Sequence, residues 1–257
     1  MTLLRTTRLA LCSLATLVAA CATLPEGVPD AERPWLRARV YVPGRLLATT
    51  PDAVVAERRM PVLVYLHGCT GLTAHDTHWA GYFKDLGFIV VQPDSFARVG
   101  RKPNCDPRTN TTGLYPGSNQ LRAAELLDAV ARVRSAAWAD RDTVFVMGHS
   151  EGGFTAMREV VSGVRGTIVS GHYCPNPSSR ISIPHPTADR LLILEWQTDP
   201  WNRLGTTCQT HLAGRTATTF VRLPGGGHGT AESRTAREAV RAFVRQDTRA
   251  SSRGTEQ

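Results

Sequence analysis

The chain has no apolar run long enough to span a bilayer comfortably. Its apolar stretch at residues 9–20 falls short of the roughly 20 residues that a membrane helix needs. That leaves a targeting role for the stretch. The chain also lacks a basic helix and a basic run interleaved with aromatics, although its formal charge is +8 and its pI about 9.6. The cations are scattered, so the charge reads as a solvated, Arg-rich surface, and nucleic acid is not an expected partner. There is no internal repeat, which excludes solenoids and propellers. His75 and His78 are close in sequence but bring no further ligand nearby, so no metal site is expected.

What is present describes an ordinary globular protein. The chain has 257 residues, 42% of them hydrophobic and 20% charged, enough for one large α/β domain with a buried sheet. Residues 1–21 read as a targeting segment, with Arg5 and Arg8 ahead of the apolar run. The segment ends Val18-Ala19-Ala20-Cys21, which resembles the lipobox of bacterial lipoproteins. That resemblance implies lipidation of Cys21 and a membrane contact through this anchor, with Val18 standing where leucine is preferred. The competing reading is ordinary secretory cleavage after Ala22, and both readings export the protein to the periplasm or cell envelope. Residues 22–34 carry three prolines and no periodicity and read as a tether. Residues 35–247 form the folded domain, and the polar residues 248–257 are expected to be a disordered tail.

Within the domain, strands are expected at 35–42, 52–60, 61–66, 88–91, 143–148, 166–171, 190–196 and 217–223. Helices are expected at 76–86, capped by Asp76 or Thr77 and closed by Gly87, and at 118–138, with apolar positions 121, 124, 127, 130 and 131. Two more are expected from Phe154 and at 231–245, the latter with Ala236, Val240, Phe243 and Val244 on one face. The alternation predicts an α/β fold with a central, mostly parallel sheet and helices on both faces. Two long connections interrupt it. Residues 97–117 carry Arg98, Arg101 and Lys102, and residues 172–189 form a Pro-rich excursion. Arg98, Arg101, His172 and Tyr173 on these connections are the candidate substrate contacts, the two arginines for a substrate carboxylate.

The chemistry centres on Gly148-His-Ser150-Glu-Gly152. An apolar strand leads into it and a helical pattern leaves it, which is the context that a nucleophile elbow requires. A side chain at Gly148 or Gly152 would crowd the turn. The turn lifts Ser150 above the strand ends and points the Glu151 amide into the same space. A serine hydroxyl needs a base, and the base needs an orienting carboxylate. Asp199 and His228 follow in that chain order, each just beyond the carboxyl end of a predicted strand. Glu195, Asp189 and Asp94 are weaker acids by position; His172, His185 and His211 are weaker bases because none follows a strand into glycines.

The strings Val62-Leu-Val-Tyr-Leu-His67-Gly-Cys-Thr-Gly71 and Leu86-Gly-Phe-Ile-Val-Val-Gln-Pro93-Asp-Ser-Phe96 resemble the dienelactone hydrolase-like family of α/β-hydrolases. Trp79, Arg101 and Cys105, Gly148-His-Ser-Glu-Gly-Gly153 and Gly227-His-Gly229 continue the likeness, which covers roughly residues 60–245. The resemblance implies hydrolysis of esters or lactones without a metal or organic cofactor. It also implies an oxyanion hole made by the N–H groups of Cys69 and Glu151, with His67 pinning the turn. Dienelactone hydrolase itself uses a cysteine nucleophile, and this chain has Ser150, which favours a serine esterase. The string Leu66-His-Gly-Cys-Thr70 is also similar to polyester depolymerases and feruloyl esterases, so both small and polymeric esters are candidate substrates. An acyltransferase or peptidase on the same triad, and a non-catalytic envelope lipoprotein, are the alternatives.

Of six cysteines, Cys12 lies in the targeting segment and Cys21 at its end. The other four, Cys69, Cys105, Cys174 and Cys208, are an even set for an oxidising compartment. Three pairings are possible. Cys69–Cys105 and Cys174–Cys208 are expected, because the members of each pair follow neighbouring strands.

Overall fold

The structure is a computed structural model and describes residue 24 and residues 27–172, 174, 184–186, 189–202, 206–211 and 214–245. The targeting segment with Cys21, Tyr173 and the tail lie outside the described residues. In chain order the elements are α1 (Arg33–Leu36), β1 (Arg39–Tyr41), β2 (Met60–Leu66), α2 (Ala74–Asp85), β3 (Ile89–Gln92), β4 (Cys105–Asp106) and β5 (Thr111–Thr112). They continue with α3 (Ser118–Ser135), β6 (Ala139–His149), α4 (Glu151–Arg158), β7 (Gly166–Ser170), β8 (Leu191–Thr198), β9 (Thr218–Gly226) and α5 (Arg234–Arg245).

Seven strands form one sheet in the order β1-β3-β2-β6-β7-β8-β9, and β4 pairs with β5 apart from it. Within the seven-stranded sheet of the described residues only β1 runs antiparallel, against β3. The inner strands are near-continuous Val, Ile and Leu because both of their faces are covered. In β2 alternate residues enter opposite cores. Leu63 and Tyr65 meet Trp79 and Phe83 of α2 and Val240 and Phe243 of α5. Val62, Val64 and Leu66 meet Leu126, Val130 and Val133 of α3. The expected parallel α/β architecture is the observed one.

The order also locates the site. From β2 the chain moves out to β3, then returns to lay β6 on the other side of β2. At such a reversal the loops leaving neighbouring strand ends part in opposite directions and leave a crevice. Leu66 and Gly148 are register partners, so the turn after β2 and the Gly-x-Ser-x-Gly turn after β6 open at the same height.

Several element expectations need correction. Residues 35–42 are not one strand: Pro34 lies in the first turn of the short helix α1, a place that suits proline, and the strand is Arg39–Tyr41. Residues 52–60 do not form a strand of their own. Pro51–Ala53 is a 3-10 turn, and Met60 already belongs to β2. The first residue flanking α2 is Thr73, whose N–H and hydroxyl both donate to the Asp76 carboxylate at 2.6 Å. Gly87, at φ 89°, closes α2 as expected. α5 begins at Arg234 rather than residue 231.

The largest correction concerns α3. Leu127 is exposed, and the inward face carries Arg122 and Glu125, both buried, beside Leu126, Ala129, Val130 and Val133. A hydrophobic stripe cannot reveal buried charges whose partners sit on other elements.

Two disulfides join Cys69 to Cys105 and Cys174 to Cys208, the expected pairs, closing separations of 36 and 34 residues. The second lies in a small core with Met157, Leu191 and Ile193, away from β2. In the chain-entropy model a loop of this size is worth about 3–4 kcal/mol. A Cys174→Ser/Cys208→Ser variant is expected to lose about that much unfolding free energy, read as a lower urea midpoint with a somewhat steeper slope, since the freed unfolded chain exposes more surface.

Candidate active site

β6 ends at His149 and α4 begins at Glu151, so Ser150 alone makes the turn between strand and helix. Its backbone sits at φ 54° and ψ −114°. A non-glycine residue there carries about 1–3 kcal/mol of strain, which surrounding contacts must hold. Ser150 N–H donates to Ser170 O at 2.9 Å, and Phe154 N–H donates to Ser150 O at 2.9 Å. A Cβ on Gly148 would lie 2.0 Å from Gly152 O, and one on Gly152 would lie 2.2 Å from Leu66 O. Both glycines are therefore sites of backbone-to-backbone contact, the crowding that their spacing implied.

The His67-Gly68-Cys69 turn leaves β2 beside this elbow. A Cβ on Gly68 would be 3.5 Å from Ser150 Cβ. The turn is held from behind. Arg122, fully buried, donates from Nη2 to His67 O at 2.7 Å and from Nη1 to His67 Nε2 at 3.2 Å. Ser95 N–H also donates to that nitrogen at 3.2 Å. His67 Nε2 is thus the acceptor, and Nδ1–H donates to Gly68 O at 2.7 Å. Burial, followed by the charge of Arg122, holds the His67 pKa well below the usual range, so the ring is neutral. It pins the turn, as the sequence suggested. Glu151 begins α4, so its N–H has no acceptor within the helix.

Asp199 follows the end of β8 by one residue, and His228 follows β9 by two. His228 Nδ1 lies 2.9 Å from Asp199 Oδ2 and 3.1 Å from Oδ1. A proton held on Nδ1 by this carboxylate leaves Nε2 as the basic atom. Asp199 also accepts the Trp201 N–H at 2.9 Å, and the Trp201 indole lies 5.4 Å from the His228 ring. The other acids serve elsewhere. Glu195 accepts from Cys208 N–H and the Thr207 hydroxyl, Asp94 accepts from Phe96 N–H, and Asp189 faces His185.

Cys69, Ser150, Glu151 and His228 line one cavity of about 290 Å³, together with Asn104, Phe154, His172 and Trp201. A second cavity of about 170 Å³, reaching Gly68, Thr70 and Asp76, shares Cys69, Ser150, Trp201 and His228 with the first. Ser150 and His228 therefore sit where two spaces meet.

Of the expected substrate contacts, His172 lines the larger cavity. Arg98 and Arg101 line neither and need correction. Arg98 donates to Glu125 at 2.7 Å and to Asp30 at 3.2 Å. Arg101 faces the Glu151 carboxylate at 3.3 Å, donates to Lys102 O and stacks on Tyr115, 4.6 Å from its ring centre. Buried guanidinium groups are costly unless paired, and here the partners are the protein's own carboxylates. Glu151 also receives Asn104 Nδ2 at 2.9 Å and the Ser118 hydroxyl. Arg101 thus ties the elbow to the 97–117 connection instead of reaching a ligand.

Sequence reasoning missed Trp201, although its place two residues after Asp199 was a usable signal. It also missed His75 and His149, which stack behind His228 with ring centres 4.0 Å apart, His149 being 4.8 Å from His228. Among the described residues no group of three or more His, Cys, Asp and Glu side chains is arranged to hold a metal ion.

No family model matches the chain, and no curated protein matches it in sequence. Solved structures do match in shape. Est1E from Butyrivibrio proteoclasticus, solved with ferulic acid bound, superposes with a TM-score of 0.55 at 12% identity, over 82% of this chain and 94% of its own. The esterase Pf2001 of Pyrococcus furiosus gives 0.55 at 14% identity, over 73% and 83%. XC6422 from Xanthomonas campestris, described as an α/β serine hydrolase without lid, gives 0.52 at 16%, over 81% and 88%. This is the α/β-hydrolase fold. At such identities the likeness speaks for the fold alone.

The buried imidazoles give the protein an acid sensitivity. Burial lowers His75 and His172 to about 4 and puts His67 and His149 well below their usual range. Between pH 6.5 and 4 the unfolded chain binds protons at these histidines that the folded chain refuses. Stability is then fully present above about 6.5 and is lost as pH falls toward 4. Glu195, raised to about 6 by burial, takes a proton earlier in the folded state and offsets part of the loss between 6 and its usual 4.5. Urea midpoints measured from pH 7 to pH 4 are expected to fall throughout, and His172→Phe is expected to flatten the slope.

Proposed function

We propose that this chain is an exported serine hydrolase that cleaves carboxylic esters or lactones through an acyl-enzyme. Ser150 is the nucleophile, His228 the general base and Asp199 the residue that orients it. The N–H groups of Cys69 and Glu151 receive the oxyanion. The observation that carries the reading is the positive-φ turn at Ser150, open to the same cavity as a histidine that holds a carboxylate at 2.9 Å on its far nitrogen.

The steps follow from that arrangement. Ser150 Oγ attacks the ester carbonyl carbon as its proton passes to His228 Nε2. The carbonyl oxygen takes the negative charge and meets two fixed N–H donors, each worth about 3 kcal/mol of barrier by analogy with oxyanion-hole mutants. His228 then protonates the leaving alcohol as the C–O bond breaks. Water, deprotonated by His228, repeats the sequence on the acyl-enzyme and releases the acid. Room for both the acyl and the alcohol part is supported by the two cavities that share Ser150 and His228.

The motif likeness to dienelactone hydrolase-like enzymes supports esters and lactones over amides, with small or polymeric esters as substrates. Purified protein is expected to hydrolyse p-nitrophenyl esters and to react with a fluorophosphonate at Ser150. Ser150→Ala is expected to abolish both, while Asp199→Asn keeps the fold and lowers kcat by about 10³–10⁴-fold, the loss expected when the histidine tautomer is wrong. Labelled protein without ester turnover would shift the reading to transacylation or peptidase activity. A protein that neither turns over nor labels would make it a binding module.

Export and lipidation are part of the proposal. They are supported by the two disulfides and by the apolar segment that ends at Cys21. Among the described residues no helix is long and apolar enough to cross a membrane. Growth with labelled palmitate is expected to mark the protein and to leave Cys21→Ser unmarked. An unmarked native protein would mean free secretion instead.

A further inference from the structure

His75 has no part in the triad, yet the loop that carries His228 rests on it. His75 is the second residue of α2. Its Nε2 accepts two backbone N–H groups, from Thr230 at 3.0 Å and from Ala231 at 3.3 Å. Its Nδ1 lies 3.4 Å from the Tyr65 hydroxyl. A nitrogen that accepts twice carries no proton, so the ring is neutral with its proton on Nδ1. The loop also comes close to this ring. A Cβ on Gly229 would come within 2.9 Å of His75 Cδ2, so only glycine lets the backbone settle there.

The neighbouring contacts run the same way. Trp79 Nε1 donates to the Thr230 hydroxyl at 3.3 Å, and Ser170 Oγ is 2.6 Å from that hydroxyl and 3.2 Å from His149 Nδ1. The His149 ring lies between His75 and His228. Residues 228–231 are thus held on His228 by Asp199, on Gly229 O by Trp196 Nε1 at 3.1 Å, on the Thr230 hydroxyl by Trp79 and Ser170, and on the Thr230 and Ala231 amides by His75.

We propose that His75 is a positioning residue for the catalytic base: its unprotonated Nε2 captures the Thr230 and Ala231 amides and thereby sets the place of His228 beside Ser150. The inference rests on the reading of His228 as base. Burial keeps the ring in the form that this needs: against the pull of Asp76 and Glu232, and with the help of His228 and His78, it brings the pKa down to about 4. A proton on Nε2 would turn the acceptor into a third donor facing two donors.

The test compares three variants by kcat, KM, thermal midpoint and amide hydrogen exchange. His75→Leu removes the acceptor. His75→Asn keeps a polar side chain that is too short to reach, and covers the case in which the leucine variant does not fold. His75→Gln can place its carbonyl oxygen near the position of Nε2. Leucine and asparagine are expected to lower kcat about 10- to 100-fold at nearly unchanged KM, the scale of loss from about 1 Å of misplacement. They are also expected to speed exchange at Thr230 and Ala231. Glutamine is expected to recover most of kcat and the exchange protection.

Native kcat in the leucine or asparagine variant, or a glutamine variant no better than asparagine, would overturn the proposal and leave the triad standing. Native protein that neither cleaves an ester nor reacts with a fluorophosphonate would overturn the triad, and this proposal with it.

Discussion

The rest of the site depends on the contact of the Ser150 turn with the end of β2. Gly152 lies so close to Leu66 O that a single methyl group would stand 2.2 Å from the oxygen. That contact fixes how far α4 can sit above the sheet, and so fixes the direction in which Ser150 points. The same approach brings Gly68 against Ser150 and places the Cys69 turn at the rim of the Ser150 cavity. Loosening β2 from β6 would remove part of what holds the strained φ of Ser150. The strain is carried by the sheet register Leu66 to Gly148 and by the bond from Ser150 N–H to Ser170 O.

Around this contact the protein separates charge from basicity. Arg122, Glu125, Arg98, Arg101 and Glu151 form buried ion pairs behind the β2 turn and the elbow. Paired charges of this kind contribute little net stability, but removing one partner is costly, so they define a unique arrangement of the loops they join. The imidazoles that surround His228 are the opposite case. His75, His149 and His172 are desolvated and stay neutral. A cation among them would repel the proton that His228 must accept on the proposed mechanism. Neutral rings give His228 packing without raising that barrier.

Legibility followed the range of the interaction. The elbow, the strands of alternating or continuous apolar residues and the chain order Ser150, Asp199, His228 are local or ordered patterns, and they were readable. The disulfide pairs followed from which strands are neighbours. What stayed hidden depends on contacts between distant segments. Arg122 and Glu125 look like ordinary helix surface until His67, Ser95 and Arg98 arrive from other elements. Arg98 and Arg101, on a loop, looked available for a ligand because sequence does not show Glu125 and Glu151 waiting for them. His75 carries no role that the sequence shows, because its partners, the amides of Thr230 and Ala231, are 155 and 156 residues away. The short helix α1 was lost for a local reason: a strand-like alternation outweighed the proline at its start.

The spent arginines also bear on the substrate. The described residues that line the two cavities include no lysine or arginine, while Glu151 and Asp76 stand among them. A carboxylate on a bound substrate would lose its hydration there and meet no cation in return, a cost of several kcal/mol for a buried unpaired charge. On the proposed reading, the described lining favours esters that are neutral at both ends. Phe154, His172 and Trp201 can cover an apolar or aromatic group, and Asn104 and Asn119 can receive a polar one. This reverses the expectation that began from Arg98 and Arg101. The chain carries a net charge of +8, yet Arg98 and Arg101, the two cations expected at the site, are held by Glu125 and Glu151.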